Sequence, residues 1–152
     1  MAFYAITAAS TASPTAAFDA LEVTLATGVG RLWRVYLWQT TDIGDAAEEV
    51  LRVEVIRGHA TSGSGGQTTV ITPMNAFDSA ATFAAELLNT TVASTGSPVG
   101  LGVVGWNIRM PLDWLFPPEQ LPVIRTTERL VVRVSAPADA ITVNCSAVFE
   151  QL

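Results

Sequence analysis

The stretch LVVRVSAPADAITVNCSAVF, Leu130 to Phe149, decides how the chain reads. Leu130, Val132 and Val134 alternate with Val131, Arg133 and Ser135, and Ala136-Pro137-Ala138-Asp139 follows. Ile141, Val143, Cys145, Ala147 and Phe149 then fall on every second position. A period of two places each apolar set on one face of a strand. The proline-containing connection reads as a turn, so the segment predicts a β-hairpin.

The same alternation recurs towards the N-terminus. Leu21, Val23 and Leu25 share a face against Glu22 and Thr24, and Leu51, Val53 and Val55 oppose Arg52, Glu54 and Ile56. In Arg31–Gln39, Trp33, Val35 and Leu37 lie on one face and Leu32, Arg34, Tyr36 and Trp38 on the other. Bulk on both sides predicts a strand covered on both sides. Further strands are expected at Phe3–Thr7, Phe83–Val92, Gly100–Met110 and Val123–Arg125. About eight strands between glycine, proline, serine and threonine turns predict an all-β, antiparallel sandwich or jelly-roll-like domain, or a barrel.

Helix is scarce. Asp45-Ala46-Ala47-Glu48-Glu49 offers a capping aspartate with a glutamate three positions on, and alanine-rich Ala76–Glu86 reads equally as a short helical turn or as loop then strand. Gly58–Gln67 has the composition of a flexible loop, free or ordered against a neighbouring subunit, inside a single domain spanning residues 1–152.

Composition narrows the chemistry. All eight basic residues are arginine, which excludes a P-loop lysine and Schiff-base catalysis. A net charge of −6 with scattered arginines argues against nucleic acid as a partner. His59 is the only histidine and Cys145 the only cysteine, so multi-histidine zinc sites and an internal disulfide are excluded. No apolar run reaches the ~20 residues of a membrane span, and Met1–Ala12 makes a poor signal peptide. No catalytic residue, metal or cofactor is expected.

The remaining motifs have ordinary readings. Ser62-Gly63-Ser64-Gly65-Gly66 matches neither a phosphate cradle nor a nucleophile elbow. Asp42, Asp45, Glu48 and Glu49 do not follow calcium-loop spacing; capping, and pairing of Glu48 with Arg52, account for them. His59 would act as a base only beside a nucleophile and an orienting carboxylate. Trp106–Glu119 gathers two tryptophans and a phenylalanine around three prolines, a composition suited to an interface or to the closed end of a core. With 14% charged residues and no lysine, a strand-rich chain has few means of guarding its sheet edges, so a homo-oligomer is expected.

Asp42-Ile43-Gly44-Asp45-Ala46-Ala47-Glu48-Glu49, Leu51-Arg52-Val53 and Arg57 to Gly66 resemble a group of tailed-bacteriophage structural proteins. Asn89 to Gly96, Asn107-Ile108-Arg109, Leu130-Val131-Val132-Arg133 and Ala136-Pro137-Ala138-Asp139 belong to the same pattern. The resemblance implies a virion component and brings no catalytic residue with it. An acidic protein suits the outer shell better than an interior facing DNA. The expectation is therefore a homotrimeric capsid decoration, or cement, protein on the outer head surface, partnered by the major capsid protein and by itself, with neither nucleic acid nor membrane. Trp106, Trp114, Leu115 and Phe116 are its candidate contacts, and the 58–67 loop with His59, Ser62 and Ser64 is a second surface. A tail or head–tail connector subunit, and a carbohydrate-binding host-attachment module, are the alternatives.

Overall fold

The computed structural model describes residues 1–40 and 48–152. Strands run over Ala2–Ala8 (β1), Phe18–Leu25 (β2), Val29–Gln39 (β3), Val50–Arg57 (β4), Thr69–Pro73 (β5) and Phe83–Asn89 (β6). They continue over Val99–Asn107 (β7), Leu112–Leu115 (β8), Val123–Arg125 (β9), Arg129–Val134 (β10) and Val143–Gln151 (β11). The one helical element among the described residues is a 3-10 turn at Pro118–Gln120. The Asp45 capping turn lies, apart from Glu48 and Glu49, outside the described residues. Residues 74–82 are loop and lead straight into β6, which settles that segment against helix.

Two antiparallel sheets face each other, one ordered β5-β1-β11-β3-β8 and the other β6-β2-β10-β4-β7, with β9 also pairing β3. The pairings nest: β1 with β11, β2 with β10, β3 with β8, β4 with β7. The chain is thus one long hairpin wound across both sheets, the strand order of a jelly roll. The core between the sheets is aliphatic and aromatic, with Phe18, Leu21, Leu32, Leu37, Leu87, Trp106 and Phe149 all buried.

Two sequence expectations are corrected here. Leu130–Val134 and the strand ending at Phe149 are not a hairpin, because β10 and β11 lie in opposite sheets. The connection from Ser135 to Thr142 crosses between sheets. Alternation identifies the core-facing side of a strand, and that side is the same whether two strands are neighbours or face each other across the core.

The faces of β3 also differ from simple alternation. Arg34 pairs with Val148 and Leu32 with Phe149, so Trp33 is the extra residue of a β-bulge. The bulge turns Leu32 inward beside Val35 and Leu37, all fully buried. It turns Trp33 outward, next to Arg34, and this outer face is only half covered.

Candidate functional site: the outer faces and the open edge

The 58–67 loop, expected to be mobile, is instead laced onto the outer face of the β6-β2-β10-β4-β7 sheet within the same chain. Backbone bridges join Thr61 to Ser94, Ser64 to Thr91 and Gln67 to Leu87. Beneath it lies a buried ionic layer. Glu22 accepts hydrogen bonds from Arg129 Nε at 2.6 Å, the Gly63 amide at 2.9 Å and Ser62 Oγ at 2.5 Å. Asp19 receives Arg133 through two guanidinium nitrogens at 2.7 and 3.2 Å and the Ala93 amide at 2.6 Å. Arg129 also donates to the carbonyls of His59 and Ala60. Both carboxylates are buried, and charge-assisted bonds offset that burial only because every partner is in place.

Glycine is required in this loop for closeness. A Cβ on Gly63 would meet the Thr91 carbonyl oxygen at 2.5 Å, and Gly58 sits at φ +101° with the Ser97 carbonyl 2.6 Å from any added Cβ. Sequence composition read this run as slack when it is a close-fitting cover.

The expected contact residues differ in where the structure places them. Trp106 is 1% exposed and its indole donates to the Met110 carbonyl at 2.7 Å; it belongs to the core, as does buried Phe116. Trp114 is half-buried and tilts against Phe116 with ring centres 4.8 Å apart. Leu115 is 65% exposed on the outer face of β8. Ser62 and Ser64 are exposed at the loop surface, Ser62 committed to Glu22. His59 is buried, and neither ring nitrogen has a hydrogen-bond partner. Among the described residues no nucleophile or carboxylate is hydrogen-bonded to this imidazole, as a catalytic base requires.

Glu48 accepts a bond from Asn107, while Arg52 pairs with Glu54 at 3.1 Å, so the expected Glu48–Arg52 pair is replaced by two others. Among the described residues no group of three or more histidine, cysteine, aspartate or glutamate side chains is placed to hold a metal ion. Among those residues, too, no helix is long and apolar enough to cross a membrane.

Two surfaces of the described residues are candidates for recognition beside the expected ones. On the outer face of the β5-β1-β11-β3-β8 sheet, Phe3 meets Trp33 edge-on at 5.7 Å and Tyr36 meets Trp38 at 5.2 Å. Trp33 is anchored by its indole to Glu150 at 2.9 Å. The Arg34 guanidinium lies 5.4 Å from the Tyr36 ring centre and pairs with Asp113. That hydrogen bond, more than the accompanying charge, holds Arg34 above its ordinary pKa.

The second surface is the open edge where β7 and β8 end the two sheets. β7 carries no charged residue over Val99–Asn107 and exposes Val99, Leu101 and Val103. Among the described residues its protection is a bulge at Leu101, the residue left over when Val55 pairs Gly102 and Ile56 pairs Gly100. Between β7, β8 and the proline-rich 116–123 connection lies a cleft of about 520 Å³, lined among others by Arg57, Leu101, Gly102, Trp114 and Leu121. Gly102 faces the Trp114 indole, and a Cβ added there would meet its Cζ2 at 3.4 Å, an ordinary van der Waals contact. Sequence reasoning named Trp114 but missed Leu101 and Arg57, because a cleft between strands of two sheets has no contiguous signature.

No protein-family model matches the chain, and neither does any curated protein.

Proposed function

We propose that this chain is a bacteriophage virion structural protein that binds the outer head surface as a homo-oligomer and stabilises the shell, without enzymatic activity. The observation that carries the reading is the uncharged, apolar open edge of β7. A nine-residue edge of this kind is a liability in an isolated domain and an asset in an assembled one. The net charge of −6 suits an outer surface, away from packaged DNA. Jelly rolls serve as capsid domains and also as lectins, so the fold supports the reading without selecting it.

Cosedimentation of the purified protein with undecorated heads tests it. Saturable binding, weakened by Leu115→Asp on the exposed face of β8, is expected. Absence of binding at any protein concentration overturns the decoration role.

The half-covered row of Phe3, Trp33, Tyr36 and Trp38 favours one second reading, a carbohydrate-binding host-attachment module, since flat aromatic faces present stacking surface for sugar rings. Quenching of tryptophan fluorescence on titration with host glycans would move the assignment there.

A further inference from the structure

We propose that the chain assembles head to tail, the Phe77 loop of one copy seated in the open-edge cleft of the next. The inference rests on the homo-oligomer part of the proposed function and names its contact.

Phe77 is 97% exposed, the most solvent-accessible large apolar side chain among the described residues, and Met74 beside it is 63% exposed. The loop presenting them is built, not slack. The Asn75 side chain accepts the Phe77 amide at 3.2 Å, the Asn75 carbonyl accepts the Asp78 amide at 3.0 Å, and Tyr4 donates its hydroxyl to the Ser79 carbonyl at 3.0 Å. The backbone that presents Phe77 is already ordered, so docking adds mainly the cost of fixing the side chain itself.

The cleft offers what this loop lacks. Its walls are Leu101, Trp114, Phe116 and Leu121, and Arg57 stands at its margin. Arg57 donates to the Val123 carbonyl, and neither it nor Asp78 has an ion-pair partner among the described residues. Seating Phe77 brings Asp78, its sequence neighbour, to the margin where Arg57 waits. An apolar anchor flanked by a carboxylate thus meets an apolar cleft flanked by a guanidinium.

Placement in the fold turns this complementarity into an assembly rule. The loop joins β5 to β6, at one edge of both sheets, and the cleft lies between β7 and β8, at the opposite edge. A chain cannot fill its own cleft, so the contact is heterologous and propagates from copy to copy. Loop and cleft also stand at the same height. Phe3, Glu150, Arg31 and Val123 are successive partners across one sheet; the Met74 amide bonds Phe3 at one end of that row, and Val123 lines the cleft at the other. Whether such a contact closes is set by the rotation it imposes between copies: a ring forms where that rotation closes, an open filament where it does not. The expected trimer requires the contact to turn each copy by a third of a revolution.

Light scattering on the wild type, Phe77→Ala, Leu101→Glu and their equimolar mixture tests the contact, with circular dichroism confirming that each variant is folded. Phe77→Ala removes an exposed side chain and leaves the core intact. It is expected to weaken self-association by roughly 30-fold or more, as loss of a central aromatic anchor does. Leu101→Glu is expected to do the same from the cleft side. The mixture is expected to form a species of twice the monomer mass and nothing larger, because one variant keeps the cleft and the other keeps the anchor. Exchanging charges in Arg57→Asp/Asp78→Arg is expected to restore an oligomer that either single change weakens.

An oligomeric wild type whose mass is unchanged by Phe77→Ala overturns the contact and leaves the homo-oligomer standing. A wild type that is monomeric throughout a dilution series overturns it as well. Head binding, measured separately, then reports on the virion reading independently.

Discussion

Asp19 shows how much can rest on one side chain. It is fully buried, receives two guanidinium bonds from Arg133 and caps the Ala93 amide, so its removal strands a cation and a donor together. Asp19→Ala is expected to cost about 3 kcal/mol, read from the urea midpoint, since breaking a buried pair from one side leaves its partner uncompensated. Gly63→Ala forces a methyl against the Thr91 carbonyl and is expected to destabilise by about 1–3 kcal/mol in the same measurement. Cys145 behaves differently. Burial alone pushes its thiol well above the ordinary value, so thiolate is scarce and access is closed. Its reaction with a thiol reagent at neutral pH should be negligible in the folded protein and complete in denaturant; rapid labelling without denaturant would contradict the core placement.

The turn between β9 and β10 tests a whole connection. The Glu128 amide bonds the Arg125 carbonyl, closing a tight turn in which Thr127 sits at φ +67°. A β-branched residue is strained there, so Thr127→Gly is expected to raise stability by about 0.5–1 kcal/mol, visible as a higher melting temperature. The cover formed by residues 58–67 shows the converse. Its glycines and serines look like slack in sequence, yet their small size is what lets backbone reach backbone over Glu22 and Asp19. On β3, a single bulge at Trp33 exchanges the faces of neighbouring side chains and sets the outer aromatic row.

For the whole molecule, the last strand is the test. β11 lies between β1 and β3, with Ala2 opposite Gln151 and Val35 opposite Ala147. Deleting residues 143–152 is expected to abolish cooperative unfolding by circular dichroism, because the sheet separates at its middle. The nested pairing also joins residues distant in sequence throughout, so refolding is expected on the millisecond-to-second scale by stopped-flow fluorescence.

Strand positions were legible because burial on one face imposes a period of two, and Leu21–Leu25, Leu51–Arg57 and Leu130–Val134 carry it plainly. The all-β class follows from those segments and their turn residues. β5 and β8 escaped notice because Thr69–Pro73 and Leu112–Leu115 are short and lie at edges, where half the contacts that shape a sequence are missing. Sheet membership was not legible either: Val134 and Val143 face a core, and the pattern is the same whichever sheet supplies the neighbour. The ionic layer needed Glu22, Asp19, Arg129 and Arg133 to meet beneath a loop some 40 residues away from the first of them. The paired edges, the cleft and the Phe77 loop arise from how distant strands are brought alongside one another. Local alternation states which side of each strand is dry; tertiary packing alone states what stands on the other side of it, because dispersion and hydrophobic burial are indifferent to the sequence separation of the groups they join.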